Sequence, residues 1–479
     1  MKELILNPLI LPLILLAGVI YLLLAYNFIS WNKKLANFVE EATIFLFLFQ
    51  IPALSVGMFP KLHPAALYHR EKTIASAVVQ LGVYVAVLLI LSPQLYRNLK
   101  DIIYKVGFFL IKDPFFFLFL FLALMSSFWS ETPSYTLKTG LVLLLVTVIS
   151  VYIGKRFTFE KIAQLLRWSL ALNFILSAYY ASAVPSIGIN PTKSAWQGIN
   201  SHSNPFAALM ALSSALWLIE VLTNPKNRSL SAIFTLLSLY GLQMAKSAGA
   251  KVNFLGLFLL FLVTRFVKKL SFRWAFFVMV IFLVIGIGGT LIVTENLEAI
   301  VVGGLGKDLT ISGRTPLWSY LLTEKVPQHP WLGYGYHGFW QSWRGKDNPA
   351  ANAPDGKLWM PSGDGYWAPP HAHNGFFEIL LDLGWVGFIL FGLSFFRTFT
   401  DSIKYLIKRK QGVTPIDSAL PLIVFLFVIF PNLTISRLVE PNEIWCLYTI
   451  IATGTALSNI KNRSKGEVRS VKTPSIRPP

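Results

Sequence analysis

The chain reads as an all-α, polytopic integral membrane protein with about twelve transmembrane helices, thirteen if one further segment is counted, and one large loop outside the cytoplasm. Three observations predict this. Of its 479 residues, 54% are hydrophobic and only 14% charged, and the mean hydropathy is +0.58, too apolar for a soluble domain. The apolar residues fall in runs of about 18 to 25, the length needed to cross a bilayer core. Basic residues cluster on alternate connectors between those runs, as the positive-inside rule requires of cytoplasmic loops.

The runs lie at 7–29, 73–93, 113–129, 137–154, 161–183, 204–223, 229–246, 250–267, 272–293, 374–397, 419–436 and 443–460, with 43–60 as the further candidate. The opening run is too long, and lacks the small-residue cleavage site, to be a removed signal peptide. The single cysteine, Cys446, excludes an internal disulfide and a cysteine-based metal site.

A net charge of +19 raises the question of nucleic acid, and its placement answers it. Lys155, Arg156 and Lys161 share one connector, Lys226 and Arg228 a second, Arg265, Lys268, Lys269 and Arg273 a third, and Lys404, Lys408, Arg409 and Lys410 a fourth. The tail adds Lys461, Arg463, Lys465, Arg469, Lys472 and Arg477. Such a pattern orients a protein in the lipid bilayer and implies no nucleic-acid partner. It leaves about 129–136, 184–203, 246–251 and 294–373 on the outer side. In the N-terminal quarter, counting 43–60 as a span places Met1 outside together with Lys61, Arg70 and Lys72. Treating it as interfacial or re-entrant gives twelve spans with both termini inside, which is the preferred arrangement. The chain thus divides into N-terminal helices (1–293), the large loop (294–373), C-terminal helices (374–460) and a basic cytoplasmic tail (461–479).

The loop 294–373 differs from its surroundings. It holds six of the 14 tryptophans (Trp318, Trp331, Trp340, Trp343, Trp359 and Trp367) and is rich in Gly and Pro. Its six basic and seven acidic residues sum to −1, against +20 for the rest of the chain. Loops of this length are uncommon without a task. Aromatic faces with scattered polar groups suit a sugar, whose C–H faces stack while its hydroxyls take hydrogen bonds. The alternative is an interfacial aromatic belt, which does not explain the concentration in one loop.

Within it, Ser312-Gly313-Arg314-Thr315-Pro316-Leu317-Trp318 opens a short helix, with Pro316 near its first turn. Pro330-Trp331-Leu332-Gly333-Tyr334-Gly335-Tyr336 is a glycine-punctuated turn, and Pro369-Pro370-His371-Ala372-His373-Asn374-Gly375 leads into the span containing Leu383-Gly384-Trp385-Val386-Gly387. Two histidines therefore stand at a membrane mouth, where histidine serves as base, metal ligand or helix cap. Glu378, one turn beyond Asn374, is unusual inside a span; ionisable groups at that depth are costly and are functional or paired.

These segments, with Trp129-Ser130-Glu131-Thr132-Pro133-Ser134 and Gly198-Ile199-Asn200-Ser201-His202-Ser203-Asn204, resemble the O-antigen ligase and polysaccharide polymerase superfamily, most closely its exopolysaccharide-production polymerase branch. The resemblance covers about residues 120–460 and includes the family's histidine separated by ten residues from a glycine, here His373 and Gly384. It implies a bacterial inner-membrane glycosyltransferase whose large loop is periplasmic. The donor would be a saccharide on undecaprenyl diphosphate, and the acceptor another lipid-linked saccharide or a lipid A core. Partners that set chain length or export the product fit the same role, and no cofactor is implied.

Such a transfer needs a base for the acceptor hydroxyl and cations for the departing diphosphate. His373 and Arg314 match the family's positions for the two, with His371 as a supporting or alternative histidine. Relatives often carry an arginine or lysine after a serine at an outer helix end. This chain reads Met244-Ala245-Lys246-Ser247, so Lys246 keeps the charge without the two-pronged geometry of arginine. His202, Trp318, Tyr334, Asn374 and Glu378 complete the expected substrate-binding set. Each has a plainer alternative: a cap for His202, a snorkelling cation for Lys246, an ordinary charge at a short helix for Arg314. A metal site would need His371 and His373 with His337 or Asp364, but no outer Asp-x-Asp pair accompanies them, so a metal-independent enzyme is expected. A lipid-linked glycan transporter should show internal repeats, and none is seen. A non-catalytic assembly partner has no use for His373 and Arg314 together. Polymerase is preferred to ligase on the resemblance alone, because the motifs do not separate them.

Overall fold

The computed structural model describes residues 32–53, 74–191, 193–200, 202–302, 314–341, 344, 348–351, 361–362, 365–366, 371–408, 414–433 and 435–470. The side chains of 50–53, 74–80, 292–302, 314–316, 351, 361–366 and 459–470 fall outside that description. So do the candidate span 7–29, Ser312-Gly313, Trp343, Trp359, Trp367 and the tail beyond 470.

The described chain is helical: α1 (Lys33–Ala53), α2 (Ile74–Arg97), α3 (Leu99–Lys112), α4 (Pro114–Met125), α5 (Pro133–Arg156), α6 (Phe159–Ala183), α7 (Ser203–Thr223), α8 (Arg228–Met244), α9 (Ala248–Val267), α10 (Phe272–Val302), α11 (Arg314–Tyr320), α12 (Gly375–Lys408), α13 (Pro415–Asn432) and α14 (Glu443–Ser470). Two antiparallel pairs of two-residue strands, Ile189–Asn190 with Ala195–Trp196 and Pro361–Ser362 with Gly365–Tyr366, lie in the connectors. Every described candidate span is built on a helix. By length and apolarity, six helices among the described residues can cross a membrane: α5, α7, α9, α10, α12 and α13. α1, α2, α6, α8 and α14 stand where further spans were expected but are shorter or more polar over the described residues, so twelve is not reached on these measures.

Two segments bear on the expected spans. The candidate 43–60 begins inside α1, which runs beside α6 from the Glu41–Lys161 ion pair (2.8 Å) to Phe49, packed against Leu172 and Leu176. The remainder of this candidate, 54–60, lies outside the described residues. The candidate 113–129 is the second arm of a broken pair, because α3 meets α4 (with its 3-10 extension to Phe128) at 94°. Pro114 cannot continue a helix from Lys112, and Asp113 starts a new one by accepting the Phe116 N–H (3.1 Å). Its other oxygen accepts the Ser394 hydroxyl at 2.8 Å.

α13 is the axis of the bundle. It is apolar all round, and every residue from Ile416 to Asn432 is buried, as expected of a helix with no solvent or lipid face. Its Asp417 is satisfied by the Tyr405 hydroxyl (2.9 Å) and the Glu160 N–H (3.0 Å). α14 packs on α5, where Trp445 donates to Thr147 (2.8 Å) and stacks on Phe116 at 5.6 Å.

α12 is broken at Gly384, whose φ of 62° and ψ of −165° are accessible only to glycine. The break frees backbone groups on both sides, and the turn 330–335 takes them up. Tyr334 and Gly335 N–H donate to the Leu381 and Asp382 carbonyls (both 2.9 Å), while Trp385 and Val386 N–H donate to Pro330 and Trp331 carbonyls (2.8 and 3.1 Å). A Cβ on Gly384 would sit 2.3 Å from the Trp331 carbonyl carbon, and one on Gly333 2.5 Å from that of Asp382. Gly384→Ala should therefore destabilise the protein by at least about 2 kcal/mol in strain alone. Gly392→Ala, on the same helix with open space around it, is the neutral control. Thermal melts in detergent check this; equal melting of the two variants would contradict the docked break.

Candidate active site

The site is assembled from the turn, the start of α12 and the connector after α13. Asn374 is the N-cap of α12. Its Oδ1 accepts the Phe376 and Phe377 N–H groups (2.9 and 3.4 Å), and its own N–H donates to Ser436 Oγ (2.9 Å). Gly375 follows because a Cβ there would meet Asn432 Oδ1 at 2.6 Å. Ahead of the cap, the peptide of Ala372 is held on both sides. Its N–H donates to Glu378 Oε1 (2.8 Å), and its carbonyl accepts Trp318 Nε1–H (2.7 Å). Glu378 Oε2 accepts Trp340 Nε1–H at 2.7 Å, so one carboxylate ties the histidine segment to the tryptophan-rich loop. This answers why a carboxylate stands there.

His371 and His373 flank that clamped peptide, their ring centroids 4.1 Å apart and inclined at 66°. His373 has a φ of 56°, the left-handed region that non-glycine residues seldom occupy and that concentrates at functional sites. The His373 N–H donates to His371 Nδ1 at 3.1 Å. That nitrogen is therefore unprotonated, and a neutral His371 carries its proton on Nε2.

Tyr334 is positioned by the turn but buried. Its hydroxyl donates to the Lys325 carbonyl (3.0 Å) and also lies 3.1 Å from Gln328 Oε1. Burial pushes its phenol up to about 12, so it acts as a neutral donor. The Trp129–Ser134 motif holds the same loop: Trp129 Nε1–H donates to the Leu332 carbonyl (3.1 Å), Thr132 accepts from Gln341, and Glu131 pairs with Arg344. Arg314 begins α11, four residues before Trp318.

His202 and Lys246 are not joined to this group by any described contact. Lys246 is exposed at the C-terminal end of α8, has a left-handed backbone (φ 50°) and makes no ion pair among the described residues. His202 caps α7, its Nδ1 accepting the Asn204 N–H at 3.2 Å. Desolvation, with a smaller contribution from Lys193, pulls its imidazole down to about 4.

Residues the sequence reading passed over also converge here. Asp382 accepts the His337 N–H (3.0 Å), and Asn432 accepts that of Arg437 (2.9 Å). Arg437 is itself neutralised by Glu443 through two contacts of 2.5 and 3.0 Å. Asp382 carried the same signal as Glu378, a carboxylate inside an apolar run; Ser436 and Arg437 carry no local motif. Among the described residues no group of three or more His, Cys, Asp or Glu is placed to hold a metal ion, and Asp364 lies outside them.

The family model described as O-antigen ligase matches residues 233–392, from α8 to just past the break in α12. Exopolysaccharide production protein ExoQ of Rhizobium meliloti (strain 1021) is 29% identical to the chain over 112 residues, 23% of this chain and 24% of that protein. The match thus spans about a quarter of the relative's length. Together these bear out the resemblance to the O-antigen ligase and exopolysaccharide polymerase superfamily and to multi-pass membrane proteins.

The His202 cap has a pH consequence. A folded pKa of about 4 against about 6.5 unfolded means its stabilisation is fully present above pH 6.5 and is lost as pH falls toward 4. The effect is worth at most about 3 kcal/mol. His202→Asn keeps a capping oxygen without the titration, so its melting temperature should fall less between pH 6.5 and 4 than that of the wild type. Parallel pH slopes in the two melting series would rule the linkage out.

Proposed function

We propose that the protein is a metal-independent membrane glycosyltransferase. It transfers a saccharide from undecaprenyl diphosphate to the hydroxyl of a second lipid-linked saccharide, polymerising repeat units at the outer face of the inner membrane. The observation that carries this reading is the pair His371–His373 fixed about the clamped Ala372 peptide at the mouth of α12.

In that reaction His373 takes the proton of the acceptor hydroxyl. The acceptor oxygen bonds to the anomeric carbon as the bond from that carbon to the diphosphate oxygen breaks. Charge collects on the leaving diphosphate, and Arg314, with Lys246 as a second cation, neutralises it. His371 serves the base rather than replacing it. With Nδ1 accepting a backbone N–H and the proton on Nε2, neither nitrogen of neutral His371 is open to take a further proton while that bond stands. Trp318 and Trp340, each half-buried and anchored by its indole N–H, are the aromatic side chains proposed to stack on the sugar.

General-base catalysis is typically worth about 100- to 10,000-fold. His373→Ala should lose roughly that much turnover with donor binding retained, and His371→Ala less. Arg314→Ala should weaken both donor binding and turnover, and Arg314→Lys should recover only part, since one ammonium cannot make a two-pronged contact. Transfer from a purified lipid-linked donor, with and without EDTA, measures all of these. Near-normal turnover in His373→Ala removes the base, and inhibition by EDTA removes the metal-free mechanism. Product analysis in a strain lacking the protein separates the two family activities: lost polymer marks a polymerase, intact but unattached polymer a ligase.

The orientation is testable separately. Cys446 is fully buried, so Ser362→Cys should supply the reactive thiol. An impermeant reagent should label it from outside. Labelling only after the cytoplasmic face is opened would invert the site assignment.

A further inference from the structure

α5 links the candidate site to a second polar site at the other end of the bundle. Its first residues follow Glu131 and Thr132, which hold the loop; 24 residues later, about 36 Å along the axis, Lys155 and Arg156 face a cavity of about 480 Å³. Lys33 of α1, Arg97 of α2 and Lys105 of α3 converge on the same cavity, and Asp101 is its one lining carboxylate among the described residues.

The charges do not balance. Asp101 is shared by Lys155 (2.8 Å) and Lys105 (3.0 Å). Arg156 is paired with the buried Glu40 at 2.8 Å, and Glu40 also accepts the Tyr152 hydroxyl. Five cations thus face two carboxylates, leaving an excess of three, and Lys33 and Arg97 have no ion pair among the described residues. Four separate helices bring these like charges to one solvent-open cleft, whose summed positive potential attracts an anion. That distinguishes the cavity from the ordinary positive-inside scatter of single connectors.

The surroundings indicate which anion. α3 turns through 94° from α4 and so lies across the direction of the spans at this end. It and the end of α2 expose Ile103 and Tyr104 (both 63%) and Tyr96 (73%) beside the cavity residues Arg97, Asp101 and Lys105. An amphipathic helix of this kind rests at the headgroup level with its apolar side chains among acyl chains. We infer that the cavity is a binding site for the phosphodiester headgroup of an anionic phospholipid in the leaflet opposite the glycan site, with the acyl chains lying along α2 and α3. Basic pockets between helices on the cytoplasmic side recognise such headgroups. The inference is independent of the glycosyltransfer reading.

Full-length protein in a neutral detergent is titrated with phosphatidylglycerol, with phosphatidylcholine of the same chain length, and with inorganic phosphate. Melting temperature and lipid retained in native mass spectra are read. Phosphatidylglycerol should bind and raise the melting temperature. Each basic group near an anionic surface is worth about five-fold in affinity, so Lys33→Gln with Arg97→Gln should weaken apparent binding roughly 30-fold. Both side chains are exposed, so folding should survive; Lys33→Gln alone, expected at about five-fold, is the fallback. Asp101→Asn should tighten binding. Equal protection by phosphatidylcholine overturns recognition of the headgroup charge, and equal protection by inorganic phosphate overturns the lipid. Unchanged affinity in the double variant overturns the cavity.

Discussion

The structure depends on the requirement that a helix opened inside a membrane protein have its freed backbone groups satisfied. α12 opens at Gly384, and four backbone hydrogen bonds with 330–335, two donated and two accepted by the turn, close the wound. Groups of this kind left bare away from water cost several kcal/mol each, so the turn is docked as firmly as a strand in a sheet. Everything at the candidate site is referred to that docking. Tyr334 and Phe339 enter the packed layer beside Leu380 and Leu381, and Trp340 is brought to Glu378. The glycine spacing shared with the family thus has a mechanical basis: Gly333 and Gly384 admit the close backbone approach, while His373 precedes the N-cap of the helical segment that ends at Gly384.

The polar residues sort by how they are satisfied. Glu378, Asp382, Asn374 and Arg437 are committed to neighbouring backbone or side-chain partners and hold shape. Asn374 caps α12, and Tyr334 is held through the Lys325 carbonyl. Lys246 stands exposed without an ion pair among the described residues.

Much of this was legible in the sequence. Apolar runs located the helices because hydropathy and length are the constraints a bilayer imposes. The histidine segment and Glu378 were legible because ionisable residues stand out against an apolar run, and Trp318 because tryptophans concentrate in the one long loop. The right-angled break at Asp113 was not, since an apolar run has no record of its direction and Pro114 suits a helix start as well as a kink. Nor was the closure of the site by Ser436 and Asn432, which reach the histidine segment only through the path of α13. The role of Trp129-Ser130-Glu131-Thr132 was likewise hidden, because its partners lie some two hundred residues away.

The docking of the turn on α12 also sets an order of biogenesis. Residues 330–335 emerge from the ribosome about fifty residues before Gly384, and their hydrogen-bond partners do not exist until α12 has entered the membrane. The anchors at Trp129 and Thr132 are in place long before, so the loop is first tethered at its flank and then locked from below. A nascent chain arrested between these two points would carry an uncommitted loop; insertion of α12 would dock it, and the connector after α13 would then close the site through Ser436.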